Sequence, residues 1–133
     1  MSEKTIVQKL LLKPRQKLLL VNAPKGYVDA LEPLPIGVAV GTKAGEKVDV
    51  VQVFATSRNE LVSNLPKLKV YLGQESIIWV SYPKSTSKLK SDINRDSIRE
   101  YALTIGLGAV AIFSIDSDWS ALRLKRIKNK AKE

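Results

Sequence analysis

Apolar residues along this chain fall into two periods. Four segments are short, nearly continuous apolar runs: residues 17–22 around Leu18, Leu19, Leu20 and Val21, then "VDVVQVFA" (48–55), "SIIWVSY" (76–82) and "AVAIFSI" (109–115). Runs of this length, rich in β-branched residues, predict strands covered on both faces. Other segments space their apolar residues helically. Ile6, Val7, Leu10 and Leu11 predict a helix over 4–11, closed by the turn at 13–16. Leu61, Leu65, Leu68 and Leu72 follow "SRNE" (57–60), a capping box in which Ser57 caps the helix and Glu60 reaches back to the cap. Pro66 inside that helix predicts a kink or a fresh first turn. Ile98, Tyr101, Ala102 and Ile105 form one face of a last helix beginning near Arg95 and ending at Gly106.

The remaining segments complete the order. A short helix from Tyr27 to Leu31 must stop at Pro33 or Pro35, "GVAVG" (37–41) reads as a short strand, and "TKAGEK" reads as a loop. "KSTSKLKSD" (84–92) is long and polar, a mobile loop by composition. "SALRLKRI" (120–127) pairs antiparallel with 109–115 across "DSDW". The order is helix, β-α-β-β-α-β-α-β-β. It predicts one three-layer α-β-α domain over residues 1–133. The sheet is mostly parallel in the order 2-1-3-4-6-5, with an antiparallel last strand.

Composition narrows the chemistry. The chain has 133 residues, no cysteine and no histidine, so disulfides, thiol chemistry, Ser-His-Asp triads and histidine-bearing zinc sites are excluded. Acid–base work would fall to carboxylates, lysine or tyrosine. No apolar run reaches the ~20 residues of a membrane helix, and charges interrupt the N-terminal segment too often for a signal peptide. A bacterial-type cytoplasmic protein is the expectation. The net charge of +9 is confined to the ends. Residues 1–17 carry five Lys/Arg against one Glu, residues 121–133 carry six against one, and the middle has eleven of each sign. The final run, including a flexible basic tail about 128–133, serves solubility or touches phosphate backbones and acidic partners. No aromatic residue interleaves it to make a stacking platform.

The phrase "LLLKPRQKLLLVNAPKGY" resembles the first strand region of class I S-adenosylmethionine-dependent methyltransferases, as does the succession of strands and helices after residue 48. More specifically, residues 10–127 are similar to an uncharacterised bacterial family, domain of unknown function 3052. The matching stretches are "NAPKGY", "VFATSRNEL", "LPKLK", "IIWVSYPK" and "DSDWSALRLKRI". The methyltransferase resemblance implies a glycine-rich turn after the first strand, whose glycines let the backbone approach the cofactor. Asn22, Ala23, Pro24, Lys25 and Gly26 stand there instead. The acidic residue that should end the strand is replaced by Val21 or Asn22, and the next strand meets no carboxylate until Glu46. No Asn-Pro-Pro-Tyr motif follows residues 48–55, and the expectation is that no cofactor is bound.

In open parallel sheets ligands lie outside the carboxyl ends of the strands. Three such ends are expected to converge, offering Lys25, Arg58 and Lys84 as cations and Asn22, Thr56, Ser57 and Ser81 as hydrogen-bonding groups. The helix beginning at Ser57 adds free N–H groups. These seven residues predict a seat for a small anionic ligand such as a nucleotide, in a module that is non-catalytic. Each also has a plain structural role, Ser57 as a cap and the lysines as solvated loop residues. The alternatives are a divergent group-transferase using Tyr27, Tyr82, Lys84 or Asp116, and a protein- or nucleic-acid-interaction module using the basic termini. Asp116 and Asp118 have the spacing of a metal pair, but in a tight hairpin they favour the turn itself. Trp79 and Trp119 are expected in packing. No metal and no membrane partner are expected, and oligomeric state has no signature.

Overall fold

Alternation along three neighbouring strands builds the molecule from its centre. The computed structural model describes residues 6–31, 34–41, 48–88, 91–116 and 118–127. The expected loop over 42–47, Glu46, Pro33 and the basic tail about 128–133 lie outside them. The elements in chain order are α1 (Ile6–Leu10), β1 (Lys17–Val21), α2 (Tyr27–Ala30), β2 (Ala39–Gly41), β3 (Val48–Phe54), α3 (Arg58–Lys69), β4 (Leu72–Pro83), α4 (Arg95–Thr104), β5 (Leu107–Ser114) and β6 (Trp119–Arg126). Six strands form one mixed sheet in the order β2-β1-β3-β4-β6-β5, as the sequence pattern predicts. β2, β1, β3 and β4 are mutually parallel, and β6 runs antiparallel to both β4 and β5.

Successive strand residues point to opposite faces, and the core divides accordingly. Leu19, Val51, Val53, Ile78 and Val80 share one cluster with Leu61, Leu65 and Leu68 of α3 and Ile98 and Ala102 of α4. Leu18, Leu20, Val50, Phe54 and Trp79 share the other with Val7 and Leu10 of α1 and Tyr27 of α2. The two tryptophans serve packing. Trp79 is buried and donates its indole N–H to the Leu10 carbonyl (3.1 Å), while Trp119 meets Phe54 edge-on at 5.0 Å.

Three local expectations are corrected. Leu72 starts β4 rather than closing the apolar face of α3, because the Tyr71 N–H returns to the Leu68 carbonyl and the Tyr71 carbonyl accepts from Val48. β4 therefore begins before residue 76 and is twelve residues long. α3 runs unbroken through Pro66, which rules out the fresh first turn of the two expected alternatives. Glu60 reaches past the cap residue, accepting from the Thr56 N–H at 2.7 Å and the Thr56 hydroxyl at 3.0 Å, while Ser57 Oγ accepts from the Glu60 N–H at 3.1 Å.

Leu65 is fully buried on α3 against the sheet. Leu65→Ala should lower the unfolding free energy by about 2–5 kcal/mol, read by urea denaturation. A loss under about 1 kcal/mol would show that this face is not close-packed.

Candidate ligand-binding site

β1, β3 and β4 are parallel neighbours, so their carboxyl ends emerge side by side. The turn after β1 begins at Asn22, whose φ of 59° lies in the left-handed region that asparagine tolerates better than most residues. Tyr27 N–H closes the turn on the Pro24 carbonyl at 3.0 Å, and Gly26 at φ 85° leads the chain into α2. A Cβ added at Gly26 would meet no protein atom within 4 Å, so within the chain it is the backbone angle that calls for glycine. A cleft of about 480 Å³ opens beside this turn, lined by Leu20, Asn22, Tyr27 and Asp29 among others. Lys25 is exposed and does not line it.

At the end of β3 the chain fills its own anion seat. The helix dipole and free N–H groups at the start of α3 attract negative charge. The Arg58 N–H donates to Asp92 Oδ1 at 2.7 Å, and the Asp92 N–H donates to the Thr56 carbonyl at 3.3 Å. Thr56 and Ser57 are engaged with Glu60, as described above. The Arg58 guanidinium lies over the Tyr101 ring, 5.6 Å from its centroid. Thr56, Ser57 and Arg58 are thus brought together, with Glu60 on the Thr56 donors, Asp92 on the Arg58 N–H and Ser57 Oγ accepting from the Glu60 N–H.

Ser81, expected at the rim, is fully buried. The Tyr27 hydroxyl donates to Gln52 Oε1 at 2.8 Å, and Gln52 Nε2 donates to Ser81 Oγ at 3.0 Å. This polar chain links α2, β3 and β4 inside the core, where each member answers the burial cost of the next. Burial also drives the Tyr27 phenol far above its ordinary pKa of 10.0.

Lys84 stands at the mouth of a larger cleft, about 680 Å³, at the carboxyl end of β4. Its walls are the turn after β4 (Lys84, Ser85, Thr86), the start of α4 (Asn94, Arg95, Asp96), and Ile112 and Ser120 of the last two strands. The Ser87 N–H closes the turn on the Lys84 carbonyl at 2.9 Å. Asp118 holds it from the hairpin, its carbonyl accepting from the Lys84 N–H (2.8 Å) and its Oδ1 from Ser87 Oγ (2.9 Å). Lys84 Nζ donates to Ser114 Oγ. Arg95, also lining the cleft, pairs with its neighbour Asp96 at 3.4 Å with both side chains exposed, a pair of little weight. Tyr82 forms the floor, its phenol raised by burial, with Arg95 and a hydrogen bond with Ser120 pulling the other way.

Sequence reasoning missed Arg95 and Ser120 because neither sits in a local motif. Only the packing of α4 and β6 beside the end of β4 brings them to Lys84. The aspartate pair serves the hairpin: Asp116 Oδ1 accepts from the Asp118 and Trp119 N–H groups at 2.8 and 2.9 Å. Among the described residues no cluster of three or more acidic side chains has metal-site geometry.

Residues 35–128 match the model of the family described as Protein of unknown function (DUF3052). No curated protein matches the sequence. Among solved structures, similar folds include class I S-adenosylmethionine-dependent methyltransferases. The ribosomal protein L11 methylase of Lactobacillus delbrueckii subsp. bulgaricus aligns with a TM-score of 0.64 at 12% identity, over 92% of this chain and 75% of that one. DhpI, in its SAH complex, aligns with a TM-score of 0.66 at 7% identity, over 94% and 83%. A TehB-like SAM-dependent methyltransferase from Corynebacterium glutamicum aligns at 0.58 and 10% identity, over 90% and 85%. Identities this low establish a shared fold and nothing finer.

Two outcomes follow from the site's internal bonds. Asp92→Ala removes the carboxylate that caps α3, and should cost about 1 kcal/mol in urea denaturation; no change would mean water replaces it fully. A phenol with a raised folded pKa contributes stability that is complete below the unfolded value near 10 and is lost as pH climbs toward the folded value. Stability should therefore decline above pH 10, and Tyr27→Phe should make that decline shallower, leaving the Tyr82 contribution. An identical alkaline limb in the variant would assign the decline to other groups.

Proposed function

The chain belongs to the family described as Protein of unknown function (DUF3052), and from that premise we propose that it is a binding module for a small anionic ligand, a nucleotide or phosphorylated metabolite, held in the cleft at the end of β4. The observation that carries this reading is the pairing of two cations from different elements, Lys84 and Arg95, across one cleft with the Ser85 and Thr86 hydroxyls beside them. Cations and hydroxyls converging on a concave site suit phosphate oxygens. The architecture supports it as well. We read the sheet and its two cores as a three-layer α-β-α arrangement, in which ligands lie at the carboxyl ends of parallel strands. The module is read as cytoplasmic, and no helix among the described residues is long and apolar enough to cross a membrane.

DhpI was solved with SAH bound, so the fit of that cofactor class to this chain can be weighed. The turn after β1 has Ala23 and Pro24 where the methyltransferase resemblance implies glycines, and its one glycine, Gly26, stands at the start of α2. The Tyr27 hydroxyl beneath the cleft is committed to Gln52. These residues do not fit S-adenosylmethionine in the manner of the fold's methyltransferases, and the reading is accordingly non-catalytic. The shared fold favours a second reading, a divergent group-transferase.

Calorimetric titration with AMP, ADP, ATP and inorganic phosphate tests the proposal. Saturable binding is expected for at least one, and Lys84→Ala or Arg95→Ala should each weaken it about tenfold or more, the worth of a charge-assisted hydrogen bond. Silence with every anion, or affinities indifferent to both substitutions, would overturn it. Saturable binding of S-adenosylmethionine would move the assignment to the transferase.

A further inference from the structure

The two basic ends of the sequence meet on one face of the sheet, at its β5–β6 edge. Lys9 of α1 reaches across 105 residues of chain to donate to the Ser114 carbonyl at 3.2 Å, and its Nζ lies 5.6 Å from the centroid of the Phe113 ring. Phe113 pairs with Ala121 of β6, and Ala121 faces the α1 side of the sheet. Alternation places Arg123 and Lys125 on that same side, beside Ala111 and Gly108 of β5.

Lys9, over β5 at the level of the Phe113–Ala121 pair, is therefore followed along the β5–β6 edge by Arg123 and Lys125 of β6. With a strand rise of ~3.3 Å per residue, their steps along the strand are about 7 Å. The segments that build this surface, 6–17, 107–114 and 119–127, contain no acidic residue. Arg123 Nε is buried there without a hydrogen-bond partner, although a buried polar atom normally has one.

We propose that this stripe seats the phosphate backbone of a single-stranded nucleic acid. Cations that follow one another at backbone levels about 7 Å apart suit successive phosphates of an extended strand, and a basic track of this kind follows a backbone without reading bases. Protein partners generally present interfaces depleted of charge at their centre, whereas Arg123 stands at the centre of this one. Phe113 is covered by Lys9 and Trp79, so recognition is electrostatic and sequence-tolerant. The surface lies apart from the anion cleft, whose cations are Lys84 and Arg95, and the two readings stand or fall separately.

The test is fluorescence anisotropy of the full chain with a fluorescein-labelled twelve-nucleotide oligouridylate across a salt series. Three phosphate contacts predict a log–log salt slope of about −2. Lys125→Glu and Lys9→Glu should each weaken binding several-fold and flatten the slope, with circular dichroism verifying the fold; Lys125 is exposed, so its variant tests the stripe without disturbing packing. Three results overturn the proposal: no binding at about 50 mM salt, binding unmoved by both reversals but lost on deleting 128–133, or displacement by poly-glutamate as effective as by unlabelled oligouridylate. The last would point to an acidic protein partner.

Discussion

Everything in this fold is arranged around a run of strand residues shut off from water. From Val50 to Ala55 every side chain of β3 and the residue after it is buried, with β1 on one side and β4 on the other. A strand in that position must satisfy its backbone through its two neighbours and its side chains through two separate cores. That requirement puts helices against both clusters and sends the chain's polar chemistry to the strand ends. The single polar side chain along this run, Gln52, is accommodated because Tyr27 and Ser81 meet it from either side.

The strand ends show how such a geometry can be filled from within. A helix start beside parallel strand termini is a ready seat for an anion. Here Asp92 takes the first α3 donor, Glu60 takes the Thr56 donors just before the cap, and Asp118 anchors the turn that bears Lys84. What remains open is divided between two clefts, one beside the β1 turn and one beyond β4. Internal carboxylates thus do at β3 what a bound ligand would do elsewhere, and they leave Lys84 and Arg95 as the cations facing each other across open space.

The fold was largely legible in the sequence because its signals are local. β-branched runs, a Ser57 cap and a Gly106 stop each act within a few residues, and the sheet order follows from the alternation of strands and helices. Leu72 was misread because a leucine at helical spacing carries no mark of the turn before it; the Val48–Tyr71 bond that draws it into β4 is made by a strand 23 residues earlier. The site was less legible for the same reason. Lys84 could be placed at a strand end, yet its facing cation, Arg95, comes from a different element. Ser81 has the composition of a rim residue and the burial of a core one. Its face depends on strand parity, which one residue of uncertainty in β4 reverses.

The Tyr27–Gln52–Ser81 chain has a consequence for how the sheet finds its pairing. Apolar alternation alone tolerates a slip of two residues between β3 and β4, since each side chain would keep its face. Such a slip would bring a valine or a phenylalanine where the amide belongs and leave Gln52 buried without its partners, at a cost of about 1–3 kcal/mol for each unsatisfied group. The correct alignment is the one in which a phenol, an amide and a hydroxyl meet in order. Three polar groups in an otherwise apolar centre thereby act as a proofreading mark, distinguishing the native alignment from near-copies that hydrophobic burial could not reject.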